Sequence, residues 1–158
     1  MKRFVLLTLT LVLAVSASKD HERIEMTRSA WGKTIMHWRI SGDGAIEYRV
    51  VDGPLKLGTD QLLLTRRTKP NAERYRRIVS LLKPARLWAG RELPCVSPMT
   101  DQDTGTISWG SEKLDYYAGC YEPETRSTVA TLMRAEKQIA ACVSESSTKA
   151  GPQKGSTQ

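Results

Sequence analysis

The chain has 158 residues, of which 40% are hydrophobic and 26% charged, with a formal net charge of +7. That length suits one domain with an ordinary core, and the composition is that of a soluble globular protein. Beyond one N-terminal apolar run nothing approaches membrane length, and the basic excess favours anionic partners.

Lys2 and Arg3 precede an apolar run over residues 4–15 that only Thr8 and Thr10 interrupt. As a helix, this run would span about 18 Å against a hydrocarbon core of about 30 Å. Val15-Ser16-Ala17 places small residues at positions −3 and −1 of a cleavage site. Residues 1–17 are therefore expected to be a signal peptide cut after Ala17, directing the chain to the periplasm or the medium. No cysteine follows the run, so a lipoprotein anchor is not expected. Losing Lys2 and Arg3 lowers the net charge from +7 to +5.

Residues 18–30 are polar and charged and read as a flexible N-terminal arm, with a single domain over 31–144. Residues 34–40 alternate, with Met36, Trp38 and Ile40 on one face and Ile35, His37 and Arg39 on the other. After Ser41-Gly42-Asp43-Gly44, residues 45–51 alternate again, Ile46, Tyr48 and Val50 opposing Glu47 and Arg49. Two such runs around a glycine-rich turn predict a β-hairpin. Asp52-Gly53-Pro54 closes it, and residues 61–66 read as a third strand.

Asn71 is an N-cap for a helix carrying Ala72, Tyr75, Ile78, Val79 and Leu82 on one face, with Arg74, Arg76, Arg77 and Lys83 mostly on the others. Pro84 should stop or kink it, and a short turn over 85–89 should set Trp88 against the core. After a loop over 93–105, residues 106–109 and 113–117 predict a second hairpin. Pro123 suits the first position of a long C-terminal helix whose stripe is Val129, Leu132, Met133, Ile139, Ala140 and Val143. Residues 145–158 have almost nothing to bury and read as a disordered tail. The expected fold is α+β: a mainly antiparallel sheet of about five strands, two hairpins packed with a central helix and a long C-terminal helix.

The three cysteines are Cys95, Cys120 and Cys142. In an oxidising compartment one disulfide and one thiol are expected. The loop and strand-end positions favour Cys95–Cys120, and spacing leaves Cys120–Cys142 open. Charge is unevenly placed. Residues 66–91 hold nine basic residues and one acid, Glu73, whereas residues 95–124 hold six acids and one base, Lys113. The bland reading is that the two blocks neutralise each other across the fold. The functional one is a basic face formed by Arg66, Arg67, Arg74, Arg76, Arg77, Arg86 and Arg91.

Catalytic signatures are weak. Asp103-Thr104-Gly105 matches the core of an aspartic protease motif, but no second copy exists and polar residues precede it. Asp101, Asp103 and Glu112 stand at positions 1, 3 and 12 of a calcium loop whose position 6 is Thr106 where glycine is required. His21 and His37 have no metal-ligand spacing. No cofactor, metal or catalytic residue is assigned.

Trp38-x-Ile40-x-x-Asp43-Gly44 leading to Tyr48, an apolar helix, a Thr100-Asp101 loop and a Tyr116-Tyr117 strand ending at Gly119-Cys120 together resemble a family of small exported bacterial proteins of unknown function. The resemblance covers residues 31–143 and implies a two-hairpin α+β domain outside the cytoplasm, with no activity to carry over.

A non-enzymatic binding domain follows, its basic face meeting an anionic envelope component or an acidic protein. Nucleic acid is not expected as a partner, and no transmembrane segment remains after signal cleavage. The alternatives are an inhibitor of an envelope hydrolase, inserting the 95–105 loop, and a small hydrolase with an aspartate loop.

Overall fold

The computed structural model describes residues 22–54, 63–96 and 101–149. The expected signal peptide over 1–17, the start of the arm, residues 97–100 of the cysteine loop and residues 150–158 of the expected tail lie outside the described residues.

Eight elements follow in chain order: β1 (Ile24–Ala30), β2 (Lys33–Ile40), β3 (Ile46–Val51), β4 (Leu63–Arg67), α1 (Ala72–Arg86), β5 (Thr104–Trp109), β6 (Glu112–Tyr117) and α2 (Pro123–Lys149). The strands form one antiparallel sheet in the order β4-β3-β2-β1-β5-β6. The α+β class, the two hairpins and both helices are as expected.

The expected arm over 18–30 needs correction, because its second half is a central strand. Ile24, Met26 and Ala30 are buried and alternate with half-buried Glu25, Thr27 and Ser29. Arg23, Glu25 and Arg28 mask that period of two. Met26 pairs with Trp38 of β2 on one side and Ile107 of β5 on the other, so β1 joins the two hairpins into one six-stranded sheet. The tight turn into β2 places both Trp31 (φ 48°) and Gly32 (φ 73°) in the left-handed region. Two such residues are the signature of a type I′ hairpin turn.

One sheet face makes the core. Register aligns Leu114, Ile107, Met26, Trp38 and Tyr48 across five strands, beside Trp109, Ile24, Ile40 and Ile46. The two helices pack on each other and on this face through Tyr75, Ile78, Leu82 and Ala85 of α1 and Val129, Leu132, Ala135, Ile139 and Val143 of α2. Fully enclosing each large aliphatic side chain contributes about 1.5–3 kcal/mol.

Asn71 caps α1 as expected, its Oδ1 accepting from the Arg74 N–H at 2.9 Å. Ala72 and Val79 prove exposed, lying at the margins of the buried stripe. Pro84 does not stop the helix, which continues to Arg86. The hydrogen bond it lacks would have gone to the carbonyl of Ser80, an exposed residue whose backbone water can satisfy.

The expected tail over 145–158 also begins too early, since α2 runs to Lys149. Ser144 and Ser146 donate their hydroxyls to the carbonyls of Ala140 and Cys142, so these polar residues are satisfied without leaving the helix. The expected Cys95–Cys120 disulfide is present, with Cα atoms 5.3 Å apart, and Cys142 is a half-buried free thiol.

Candidate functional site

With the helices on one face, the other carries no helix among the described residues. The pleat sends alternate polar residues of every strand to it. Register places Lys113, Ser108, Glu25, Arg39, Glu47 and Arg67 side by side across β6, β5, β1, β2, β3 and β4.

Glu47 is the centre of this row and is only 5% exposed. Arg39 Nη2 and Arg67 Nε each donate to its Oε2 at 3.0 Å, and Arg49 donates through Nε at 2.9 Å and Nη2 at 2.6 Å to Oε1. Burial alone would raise the pKa of this carboxyl; the hydrogen bonds from Arg67 and Arg49 and the charge of Arg39 outweigh it and hold it down at about 2. One carboxylate thus orders three guanidinium groups whose side chains remain 39–69% exposed. Each guanidinium has five N–H donors, so the bonds to Glu47 engage a minority of them, and the three arginines outnumber that carboxylate by two positive charges.

Next to the tier, His37 Nε2 and Glu25 Oε1 are 2.6 Å apart. Burial works to raise the Glu25 pKa, but hydrogen bonds from His37 and Arg23 keep it low. His37 Nδ1 is buried without a partner. Thr27 is the cross-strand partner of His37 on the same face.

Beyond β1 the face becomes a groove. Residues 90–96 run beside edge strand β6: Gly90 N–H donates to Lys113 O at 2.8 Å, Val96 N–H donates to Glu122 Oε1 at 2.7 Å, and Thr125 Oγ1 donates to Pro94 O. Cys95–Cys120 pins the same segment. Between it and β1, β5 and β6 lies a cleft of about 690 Å³ with Arg91, Lys113, Thr27 and Thr106 in its walls. Asp115 belongs to it, its pKa lowered chiefly by the 2.6 Å hydrogen bond from Thr106 and further by Lys113 at 3.0 Å. A second cleft of about 480 Å³ sits at the Trp31 turn, beside Ile35, Asp101, Gln102 and Asp103. The two share Ser29, Thr104 and Tyr117 and so adjoin.

A third polar group lies on the helix side. Arg28, which faces the core from β1, reaches Glu136 Oε1 at 3.3 Å, Asp103 Oδ2 at 3.5 Å and Met133 Sδ at 3.5 Å. Tyr116 crosses directly over Gly105, where a Cβ would come within 2.3 Å of its ring. Its hydroxyl and Glu136 Oε2 are buried without partners. Burial raises the pKa of both, assisted at Tyr116 by the Glu136 charge and opposed at Glu136 by Arg28.

The arginines expected to form a basic face are dispersed. Arg67 enters the tier; Arg66 approaches Ser144 Oγ of α2 at 3.4 Å. Arg74 is structural, its Nη1 donating to Gly44 O, Thr68 Oγ1 and Lys69 O. Arg77 pairs with Glu73 at 3.1 Å, and Arg76 is exposed on α1. Arg86 binds Glu22 and Glu112 and stacks on Trp109, 5.2 Å from its ring centre, while Arg91 borders the large cleft. Arg86–Glu112 is the one ion pair joining the basic and acidic blocks among the described residues.

Asp101, Asp103 and Glu112 do not gather: Asp103 turns to Arg28 and Glu112 to Arg86. The single His/Cys/Asp/Glu group of metal-binding size among the described residues is Cys95, Cys120 and Glu122, whose thiols are joined in the disulfide. Arg39, Arg49 and Trp31 were outside the expected site. The signal for the first two was their outward position in a predicted hairpin, and for Trp31 its place beside Gly32 between two alternating runs. No known family model matches this chain, and no curated protein matches it either.

Proposed function

We propose that this protein is an exported, non-enzymatic binding domain that meets an anionic partner, an envelope component or an acidic protein surface, through the arginine tier of its open sheet face. The observation that carries this reading is the convergence of Arg39, Arg49 and Arg67 on the single buried carboxylate of Glu47. Glu47 preorganises the guanidinium planes, which reduces the ordering cost of docking, and leaves them with further donors suited to bidentate contact with carboxylate or phosphate. Export rests on residues 1–17 and is supported by the Cys95–Cys120 disulfide.

The test is retention of the purified protein on envelope fractions over a salt series. Binding should weaken as salt rises. An Arg49→Gln/Arg67→Gln variant should lose most of it while keeping its urea unfolding transition cooperative. Undiminished retention of the double variant removes the tier from the function. Arg74 is a poor probe, because its guanidinium also ties the β2–β3 turn at Gly44 O to the first turn of α1.

The inhibitor reading draws on one observation. Val96 is 84% exposed beside the disulfide, on a segment clamped at Pro94 and at its own N–H. Salt-insensitive capture of one envelope enzyme would favour it.

A further inference from the structure

We propose that the groove from Trp31 past Tyr117 to Arg91 binds an uncharged oligosaccharide. This site is separate from the arginine tier and does not rest on it.

The first observation is Trp31. Its neighbours in kind, Trp38 and Trp109, are buried, yet Trp31 is 63% exposed. It occupies a left-handed turn position, φ 48°, that Asn or Gly fills most readily. Trp31 is not part of the hydrophobic core cluster, so core packing does not account for an indole at this turn. An exposed aromatic face of this kind stacks on the C–H face of a pyranose ring.

The second observation is the register of hydroxyls. Ser29, Thr104 and Tyr117 are direct partners across β1, β5 and β6 and form the wall common to both clefts. Thr27 and Thr106 are partners one step further along the same face. From Thr27 to Trp31 the strand covers about 13 Å, the length of a di- or trisaccharide. Gln102, in the wall of the Trp31 cleft, adds an amide that both donates and accepts. Both cleft volumes fall within the range of about 300–1,000 Å³ of ligand sites.

Charge decides the class of sugar. Lys113 is paired with Asp115, and Asp103 with Arg28. Arg91 and Glu92 line the same wall and offset each other in formal charge, and Asp101 adds a carboxylate to the Trp31 cleft. The groove therefore has no surplus cation to hold a sulfated or uronic chain, whereas its hydroxyls, amide and indole match neutral, hydroxyl-rich rings.

Titration calorimetry and intrinsic fluorescence with cellotetraose, maltotetraose and chitotetraose test the proposal. At least one should bind saturably, shift the tryptophan emission to shorter wavelength and bind equally well at high salt. Trp31→Asn should weaken that binding at least tenfold while its thermal midpoint holds or rises, because Asn-Gly suits the turn. Gln102→Ala should weaken it several-fold, and Arg49→Gln/Arg67→Gln should leave it unchanged. Absence of saturable binding by all three sugars overturns the proposal, as does a folded Trp31→Asn variant with wild-type affinity.

Discussion

Glu47 shows how one side chain can organise a surface. Three arginines hold it ionised with a pKa near 2, well below the ordinary glutamate value of 4.5. Because its folded pKa is depressed, its stabilisation is fully present above pH 4.5 and is lost as pH falls towards 2. Glu25 and Asp115 act with the same sign. The share of Glu47 is isolated by comparing wild type with Glu47→Gln in urea titrations at descending pH. At neutral pH the variant should be less stable by about 2–3 kcal/mol, since it leaves three guanidiniums facing one another without their counter-charge. The gap between the two proteins should then close as the medium approaches pH 2. A gap that stays constant with pH would show that the carboxylate charge is not what Glu47 contributes.

At the scale of elements, legibility followed the contrast of the pattern. The β2–β3 hairpin and α1 could be read because apolar positions recur with period two or near 3.6 and are bounded by Ser41-Gly42-Asp43-Gly44 and by Asn71. Strand β1 could not, because Arg28 occupies a core-facing position and finds its partners, Asp103 and Glu136, far away in the chain. The site was harder for the same reason. A run of arginines in sequence looks like a face, but only Arg67 of that run meets Arg39 and Arg49, which reach it by strand register. The 90–96 segment is legible only through its cysteine. Replacing Cys95 and Cys120 together by serine should cost about 3 kcal/mol. It should also raise amide exchange in residues 90–96 well above that in β5. Equal protection before and after would mean that the Pro94 and Val96 hydrogen bonds hold the segment unaided.

Over the whole molecule, β1 is the joint of the sheet. Met26 touches β2 and β5 at once and is fully buried, so Met26→Ala should cost about 2–5 kcal/mol. The two hairpins should also melt together in that variant. Two resolved transitions in calorimetry would instead mark the hairpins as separable units.

The place of β1 in the sheet sets the order in which the protein can be completed. Ile24 lies opposite Ile40 on one side but opposite Trp109 on the other. Among the described elements β1 therefore precedes both of its neighbours, and its β5 edge stays bare until β2, β3, β4 and α1 have all followed. Closing such a distant pairing is entropically slow, and the unpaired edge is open to the wrong neighbour in the interval. For this molecule the hazardous moment is its birth, and a holdase that shields residues 24–30 would matter more than one that acts on the finished fold.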